Sequence, residues 1–301
     1  MTAVSKPGDL GGTGDLAGRP VARIGFGVMQ LRRSVIGQDA ALAMLRQAVE
    51  AGVNHLDTAH FYGGCNELIR AALAPYDADL VLVTKVGAVH DAAAKPVPLV
   101  PAQRPAELRA QVEANLAALG TERVGVVNLR RLDAPPGLIA QGEPRVDLDD
   151  QLAELSALRA EGKIGGIGLS NVSVGQLRQA LPAGIACVQN SYSLLDRTAE
   201  PVLELCRAHG IAWVPFFPLG SAGFPNLPKV TGNPTVKAIA EELDATPAQV
   251  GLAWLLAHYD NALLIPGTSS PAHLTENLAA GALKLPEPSL TALDHLSLPT
   301  K

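Results

Sequence analysis

The sequence predicts an α/β protein built as one closed (β/α)8 barrel, a TIM barrel, and three observations carry that prediction. Short runs rich in valine, isoleucine and leucine alternate with longer segments of 3.6-residue periodicity, about eight times over. The runs are apolar at both alternating positions, as strands covered by helices on one side and packed inside on the other require. No linker-like stretch divides the 301 residues, a length that suits eight strand–helix units in a single domain.

In chain order the predicted strands are 24–28 (IGFGV), 53–57 (VNHLD), 80–85 (LVLVTK) and 124–129 (VGVVNL). They continue at 164–170 (IGGIGLS), 185–190 (IACVQN), 211–217 (IAWVPFF) and 262–266 (ALLIP). Helical periodicity runs through 40–52, 106–120 and 148–162, among others. Gly52, Gly120, Gly162 and Gly210 fall where a left-handed C′ residue would close a helix. Asp149 and Thr246 are expected as helix caps, the latter followed by Pro247 in the first turn. Residues 1–18 read as a flexible, Gly-rich lead-in, and 19–301 as the barrel domain. RPVARIGFG is expected to add a short strand or hairpin that closes the bottom of the barrel. An open Rossmann sheet is the structural rival. It would need GxGxxG between a strand and a helix, and Gly25-Phe26-Gly27 lacks both the third glycine and the helix start.

A net charge of −5 without long basic blocks argues against nucleic acid or an anionic membrane as partner. No apolar run reaches the roughly 20 residues of a membrane span, and the N-terminus has no charged-then-apolar signal pattern. Three cysteines in no CxxC spacing indicate neither a disulfide framework nor a zinc site, which suits a cytoplasmic protein.

A (β/α)8 barrel carries its chemistry at the C-terminal ends of its strands. There the sequence offers Asp57, then Tyr62 in the following loop, then Lys85 at the end of the next strand. A tyrosine is a poor acid at neutral pH, but a neighbouring ammonium stabilises the phenolate, and an aspartate can hold that ammonium charged and oriented. Singly, each residue is ordinary. Their occurrence at successive strand ends is what points to proton transfer. His55, Asp57 and His60 also spell HxDxxH, but no later strand end completes a metal set, so no metal is expected. Cys65 has no charged partner beside it in sequence and reads as unreactive.

These stretches resemble the aldo-keto reductase family. The match runs from IGFGVMQL through GVNHLDTAHFYGG, VTK, LGTERVGVVNLRRLD, GKIGGIGLSNVSVGQL, VQNSYSLLDR and PFFPLG to IPGTSSPAHLTENLAA, in the family's order. The resemblance implies an NAD(P)H-dependent oxidoreductase that reduces a small aldehyde or ketone without a metal. Tyr62 would be the proton donor, Lys85 its partner and Asp57 the anchor of Lys85. Ser170, Asn171 and Gln189 would hold the nicotinamide carboxamide. Phe216 would stack on the ring in place of the usual tyrosine. Leu219, Gly220 and Ser221 would follow the pyrophosphate. Ile265, Gly267, Thr268, Ser269, His273, Glu276 and Asn277 would meet the adenosine end, where the next helix begins.

The sequence departs from the family pattern twice. The usual histidine after the LGT turn is Arg130, which cannot shuttle a proton. Three roles stay open: donating to the carbonyl, binding a substrate carboxylate or phosphate, or pointing away from an impaired site. Its neighbour Arg131 is expected to face the rim and solvent. Where NADPH-preferring members carry lysine and arginine, this chain has Gly267 and His273. NADPH over NADH is the expectation by resemblance, and a monomer is favoured. The alternative function is a non-catalytic nicotinamide-binding module that senses redox state or regulates a partner.

Overall fold

The computed structural model describes residues 10–296 apart from 33–34, 96–97, 136–137, 141, 143–144 and 221–226. The chain begins with an antiparallel hairpin, β1 (Thr13–Leu16) and β2 (Arg19–Ala22), paired from Thr13↔Ala22 to Leu16↔Arg19. The lead-in predicted over 1–18 is therefore too long. Leu10 and Leu16 are buried, and apolar burial fixes what the glycines alone suggested would be loose.

Seven parallel strands follow: β3 (Phe26–Gly27), β4 (His55–Asp57), β5 (Val81–Val86), β8 (Val124–Arg130), β9 (Ile164–Ser170), β10 (Ile185–Gln189) and β11 (Ala212–Trp213), neighbours in that order. The segment 262–265 closes the ring. Leu263 donates its N–H to the Trp213 carbonyl (2.8 Å), Leu264 to Arg23 (2.7 Å), and Gly25 to Leu264 (2.8 Å). The predicted strand 211–217 shortens to two residues because Pro215 has no N–H to continue the ladder toward that segment. On its other side pairing persists, with Val214 donating to Val188 (2.9 Å) and Phe216 to Asn190 (3.0 Å).

The helices on the outside include α1 (Gln38–Glu50), α2 (Cys65–Leu73), α3 (Pro105–Leu119), α4 (Leu148–Ala160), α5 (Val174–Ala180) and α6 (Glu200–Ala208). After them come α7 (Pro234–Glu242), α8 (Pro247–His258), α9 (Pro271–Ala279) and α10 (Glu287–Asp294). All four predicted closing glycines have positive φ, from 65° to 99°. Thr246 caps α8 by accepting from the Gln249 N–H. Asp147, not Asp149, caps α4: its carboxylate accepts from the N–H of Asp149, which lies in the first turn. The long loop after β5 contains a small antiparallel pair, β6 (Ala88–His90) and β7 (Leu99–Pro101).

Two apolar layers result. The larger packs the outward strand faces against the helices, with Trp213 and Trp254 both buried in it. The smaller lies inside the barrel, where Val81, Val83, Val126, Cys187, Ala212, Val214, Leu263 and Ile265 meet Leu16 and Val21 of the hairpin. The hairpin thus plugs the bottom with side chains, and the interior is packed rather than open.

Candidate active site

Strand alternation sets the contents of the mouth. On β5 the inward residues Val81 and Val83 belong to the interior cluster, so Lys85 is next on that face. On β8 inward Val126 is followed by Asn128 and then Arg130, and on β10 inward Cys187 by Gln189. Registers then bring the ends together: Arg130 lies opposite Ser170, and Ser170 opposite Gln189.

Asp57 and Lys85 form an ion pair across adjacent strands, 3% and 4% exposed. Lys85 Nζ also donates to the Thr58 carbonyl (3.1 Å). Asp57 accepts at Oδ2 from Gln189 Nε2 (2.7 Å). Burial pushes the Lys85 ammonium toward deprotonation. The Asp57 carboxylate, and after it Tyr62, outweigh that and hold its pKa above the ordinary lysine value. The ammonium lies 5.1 Å from the centre of the Tyr62 ring, which meets Phe61 edge-on at 5.2 Å. Tyr62 is fixed from behind, where Cys65 Sγ donates to its carbonyl (3.1 Å). Burial drives the Cys65 thiol up to about 11, so it is not a thiolate at neutral pH.

Behind the pair runs a buried chain of polar side chains that sequence reading did not find. Thr58 Oγ1 donates to Asn66 Oδ1 (2.8 Å), Asn66 Nδ2 to Asn115 Oδ1 (2.8 Å), and Thr84 Oγ1 to the same oxygen. It ties the ends of β4 and β5 to α2 and α3. Asparagines on otherwise apolar helix faces were the available signal.

Arg130 is half-buried at the mouth. Its Cζ lies 5.8 Å from the Phe216 ring centre, within cation–π range. Burial lowers its pKa, and Tyr62 acts in the opposite sense. Its backbone carbonyl accepts from Gln103 Nε2 (2.9 Å), and Gln151 Nε2 in turn donates to Gln103 Oε1 (2.9 Å).

Arg131 is the correction. It is 5% exposed rather than facing solvent. Its guanidinium forks onto Asp133, Nε to Oδ2 at 2.8 Å and Nη2 to Oδ1 at 3.2 Å, and reaches the Val146 carbonyl (2.9 Å) and Gln151. Asp133 feels burial first, but Arg131 overrides it and keeps the carboxyl below its usual range. The pair braces the loop after β8 against α4, a bond pattern that no spacing in RRLD announces.

Where β9 and β10 end, the mouth has two buried polar atoms with no hydrogen-bond partner among the described residues, Ser170 Oγ and Gln189 Oε1. Buried polar atoms are rarely left so, and a hydroxyl and an amide oxygen together fit a carboxamide. Asn171 sits beside them at φ +60°, with Nδ2 donating to the Ala134 carbonyl (2.6 Å). Phe216 meets Phe217 edge-on at 5.1 Å. At Gly220, φ is +83° and a Cβ would lie 2.3 Å from the Pro228 carbonyl, so only glycine fits. Ser221 lies outside the described residues.

Gly267 abuts Gly27, whose carbonyl oxygen is 2.6 Å from the Gly267 Cβ position. Thr268 Oγ1 accepts from the Ser270 N–H (3.1 Å), and Ser270 caps α9 by accepting from His273 N (3.4 Å). Ser269 and His273 are exposed, Glu276 half-buried and Asn277 buried. Ile265 differs from expectation: its side chain turns into the barrel interior, leaving only backbone toward a ligand.

Of HxDxxH, Asp57 is engaged by Lys85 and Gln189, His55 is buried inside the barrel and His60 is exposed. Among the described residues no three His, Cys, Asp or Glu side chains are grouped for a metal, and no helix is long and apolar enough to cross a membrane.

The sequence profile of the aldo/keto reductase family matches residues 23–297. The chain is 43% identical over 290 residues to pyridoxine 4-dehydrogenase of Escherichia coli (strain K12), covering 94% of this chain and 97% of that one. Among solved structures it resembles a thermostable aldo-keto reductase in complex with the inhibitor epalrestat (28% identity, TM-score 0.77, 94% and 98% covered). It also resembles an aldo/keto reductase from Klebsiella pneumoniae in complex with NADP and acetate (25% identity, TM-score 0.77, 94% and 93% covered).

Proposed function

The chain belongs to the aldo/keto reductase family, and on that premise we propose that it is an NADPH-dependent carbonyl reductase acting on a small aldehyde such as pyridoxal. The observation that carries the reading is the Lys85 ammonium, buried between the Asp57 carboxylate and Tyr62. A buried charge of this kind is costly unless it is used and paired.

The cofactor, when bound, would supply a hydride for the carbonyl carbon. Tyr62 gives its hydroxyl proton to the carbonyl oxygen, so the carbonyl gains one hydride and one proton and becomes an alcohol. Lys85 stabilises the phenolate that Tyr62 leaves behind, and Asp57 keeps Lys85 charged and in place. Gln189 donates to Asp57 through one end of its amide, and its unpartnered Oε1 would hold the nicotinamide carboxamide together with Ser170 Oγ. The cofactor's position is thereby linked to that of the proton-transfer pair. Asn171 completes that set. Phe216 would stack on the ring, and Leu219 and Gly220 would follow the pyrophosphate. Thr268, Ser269 and the amides opening α9 would hold the 2′-phosphate, with His273, Glu276 and Asn277 nearest the adenosine. All these side chains come from one chain, so a monomer suffices.

Arg130 in place of histidine favours a second reading, a nicotinamide-binding module without turnover. Screening pyridoxal and simple aldehydes with NADPH and NADH separates the two. Turnover with NADPH at higher kcat/KM than with NADH is expected. Cofactor binding without consumption of any aldehyde would replace the reductase by the module.

A further inference from the structure

The polar chain behind Asp57 and Lys85 converges on one side-chain oxygen. Leu56 and Leu82, on the outward faces of β4 and β5, pack in the apolar layer under the helices. Thr58 and Thr84 are the next residues on those faces. Thr58 directly follows Asp57, and Thr84 directly precedes Lys85. Asn115 Oδ1, on α3, accepts from the Thr84 hydroxyl and from Asn66 Nδ2 (2.8 Å). Asn66 Oδ1 in turn accepts from the Thr58 hydroxyl (2.8 Å). The Asn115 amide is oriented by its own helix, because Nδ2 donates to the Gln111 carbonyl (2.8 Å). One turn earlier on α3, Gln111 Oε1 accepts from the Gly87 N–H (2.8 Å), two residues past Lys85. Helix α3 therefore grips β5 on both sides of Lys85. On α2, Asn66 follows Cys65, whose thiol holds the Tyr62 carbonyl (3.1 Å).

Thr58, Asn66, Thr84 and Asn115 are each at most 3% exposed. Apolar side chains of similar shape would fill such a layer at little cost to stability, because both partners of each bond would go together. What apolar contact lacks is direction. A hydrogen bond holds donor and acceptor to a narrow range of distance and angle, and a connected buried network specifies one arrangement. The ammonium in front of the network needs that precision. Of the three donors on Lys85 Nζ, one goes to Asp57 and one to the Thr58 carbonyl (3.1 Å), and Tyr62 draws on the same charge. The residue supplying that carbonyl is the one that Asn66 and Asn115 hold in place.

We infer that Asn115 is a positioning residue: by tying Thr58 and Thr84 to one oxygen, it fixes the Lys85 ammonium against Tyr62 and so sets how readily Tyr62 releases its proton. This rests on the roles given to Lys85 and Tyr62 above. Asn115 lies behind the strands, touches no reacting atom, and makes and breaks no covalent bond.

The test is an ultraviolet titration of phenolate in the cofactor-free protein, which has four tyrosines. Burial pushes Tyr76 up to about 12 and raises Tyr192 and Tyr259 as well. A phenolate at Tyr62, beside the ammonium, is therefore expected to form first, and Tyr62→Phe should abolish that first step. Asn115→Leu should move the step up by about one pH unit, or about tenfold less phenolate at a given pH. Thr84→Val removes only a hydroxyl and should move the step in the same direction by less. Thr84→Ser keeps the hydroxyl and should titrate as wild type. Combined with Lys85→Met, Thr84→Val should move nothing further. A purely structural Asn115 would lower the urea midpoint when replaced and leave the titration where it was. A first step unmoved by both Asn115→Leu and Thr84→Val overturns the inference, as does a Thr84→Val shift that survives Lys85→Met. Should Asn115→Leu fail to fold, Thr84→Val alone decides. A first step that survives Tyr62→Phe removes the coupling of Lys85 to Tyr62 and the inference with it. Absence of aldehyde turnover by wild type removes the reductase reading, while the titration still reads where Asn115 holds Lys85.

Discussion

The two ends of the barrel interior are made by the same strands and hold opposite contents. At the bottom, Val81, Val126, Ala212 and Leu263 close on Leu16 and Val21 from the hairpin. At the top, four residues further along β5 and β8, the inward positions become Lys85 and Arg130, joined by Asp57, Ser170 and Gln189. Between them His55, Asn128 and Cys187 form a mixed layer. The imidazole fills the space a side chain at Gly25 would need, 2.2 Å from its Cβ position. A cavity of about 10 Å³ touches His55, Asp57, Cys187 and Gln189 there. The comparison shows that alternation decides only which way a residue points. Distance along the strand decides whether it meets other apolar groups or a charge. The dry floor also strengthens the Asp57–Lys85 attraction above it, because little water competes.

The contrast can be broken hardest at the top. Lys85→Met removes one partner of a buried pair and leaves Asp57, among the described residues, with its bond from Gln189. A fall in kcat/KM of about 10²–10⁴ is expected, with a stability loss of about 3–5 kcal/mol by urea denaturation. Broken at the bottom instead, the same interior should lose stability with its chemistry left intact. Leu16→Ala opens a cavity in the plug and should cost about 2–5 kcal/mol, with kcat/KM near wild type. A tenfold drop in kcat/KM there would mean the two ends are coupled.

The middle layer sharpens the contrast through pH. Burial lowers the His55 pKa from 6.5 to about 4, against the raising effect of its bond to the Ala22 backbone. Between those values the unfolded chain binds a proton that the native chain does not, so stability falls as pH drops from 6.5 toward 4. The loss by pH 4.5 is about 2–3 kcal/mol from this residue. Urea denaturation at pH 7 and 4.5 should show it, and His55→Gln should flatten that part of the profile.

Much of this interior was legible in the sequence. HLD and VTK place His55 with Asp57, and Val83 with Lys85, by period alone, and Gly52, Gly120, Gly162 and Gly210 close helices as expected. What period cannot see is which partner waits across the fold. Arg131 follows the strand like any rim residue, and only the return of Asp133 and Gln151 to it makes it buried. Asn66 and Asn115 read as helix positions until the ends of β4 and β5 meet them. The lead-in was judged by its glycines, whereas Leu10 and Leu16 decided its fate by burial. Asp147 and Asp149 are equally good caps on paper, and the local turn chose the first.

The claim at the centre is that the charged top of the barrel exists to let Tyr62 move a proton. Tyr62→Phe keeps the ring beside Phe61 and removes only the hydroxyl. Steady-state reduction of pyridoxal or another aldehyde that turns over should drop about 10²–10⁴-fold, while NADPH binding, followed by fluorescence titration, stays at the wild-type value. A Tyr62→Phe protein that reduces the aldehyde at the wild-type rate contradicts it.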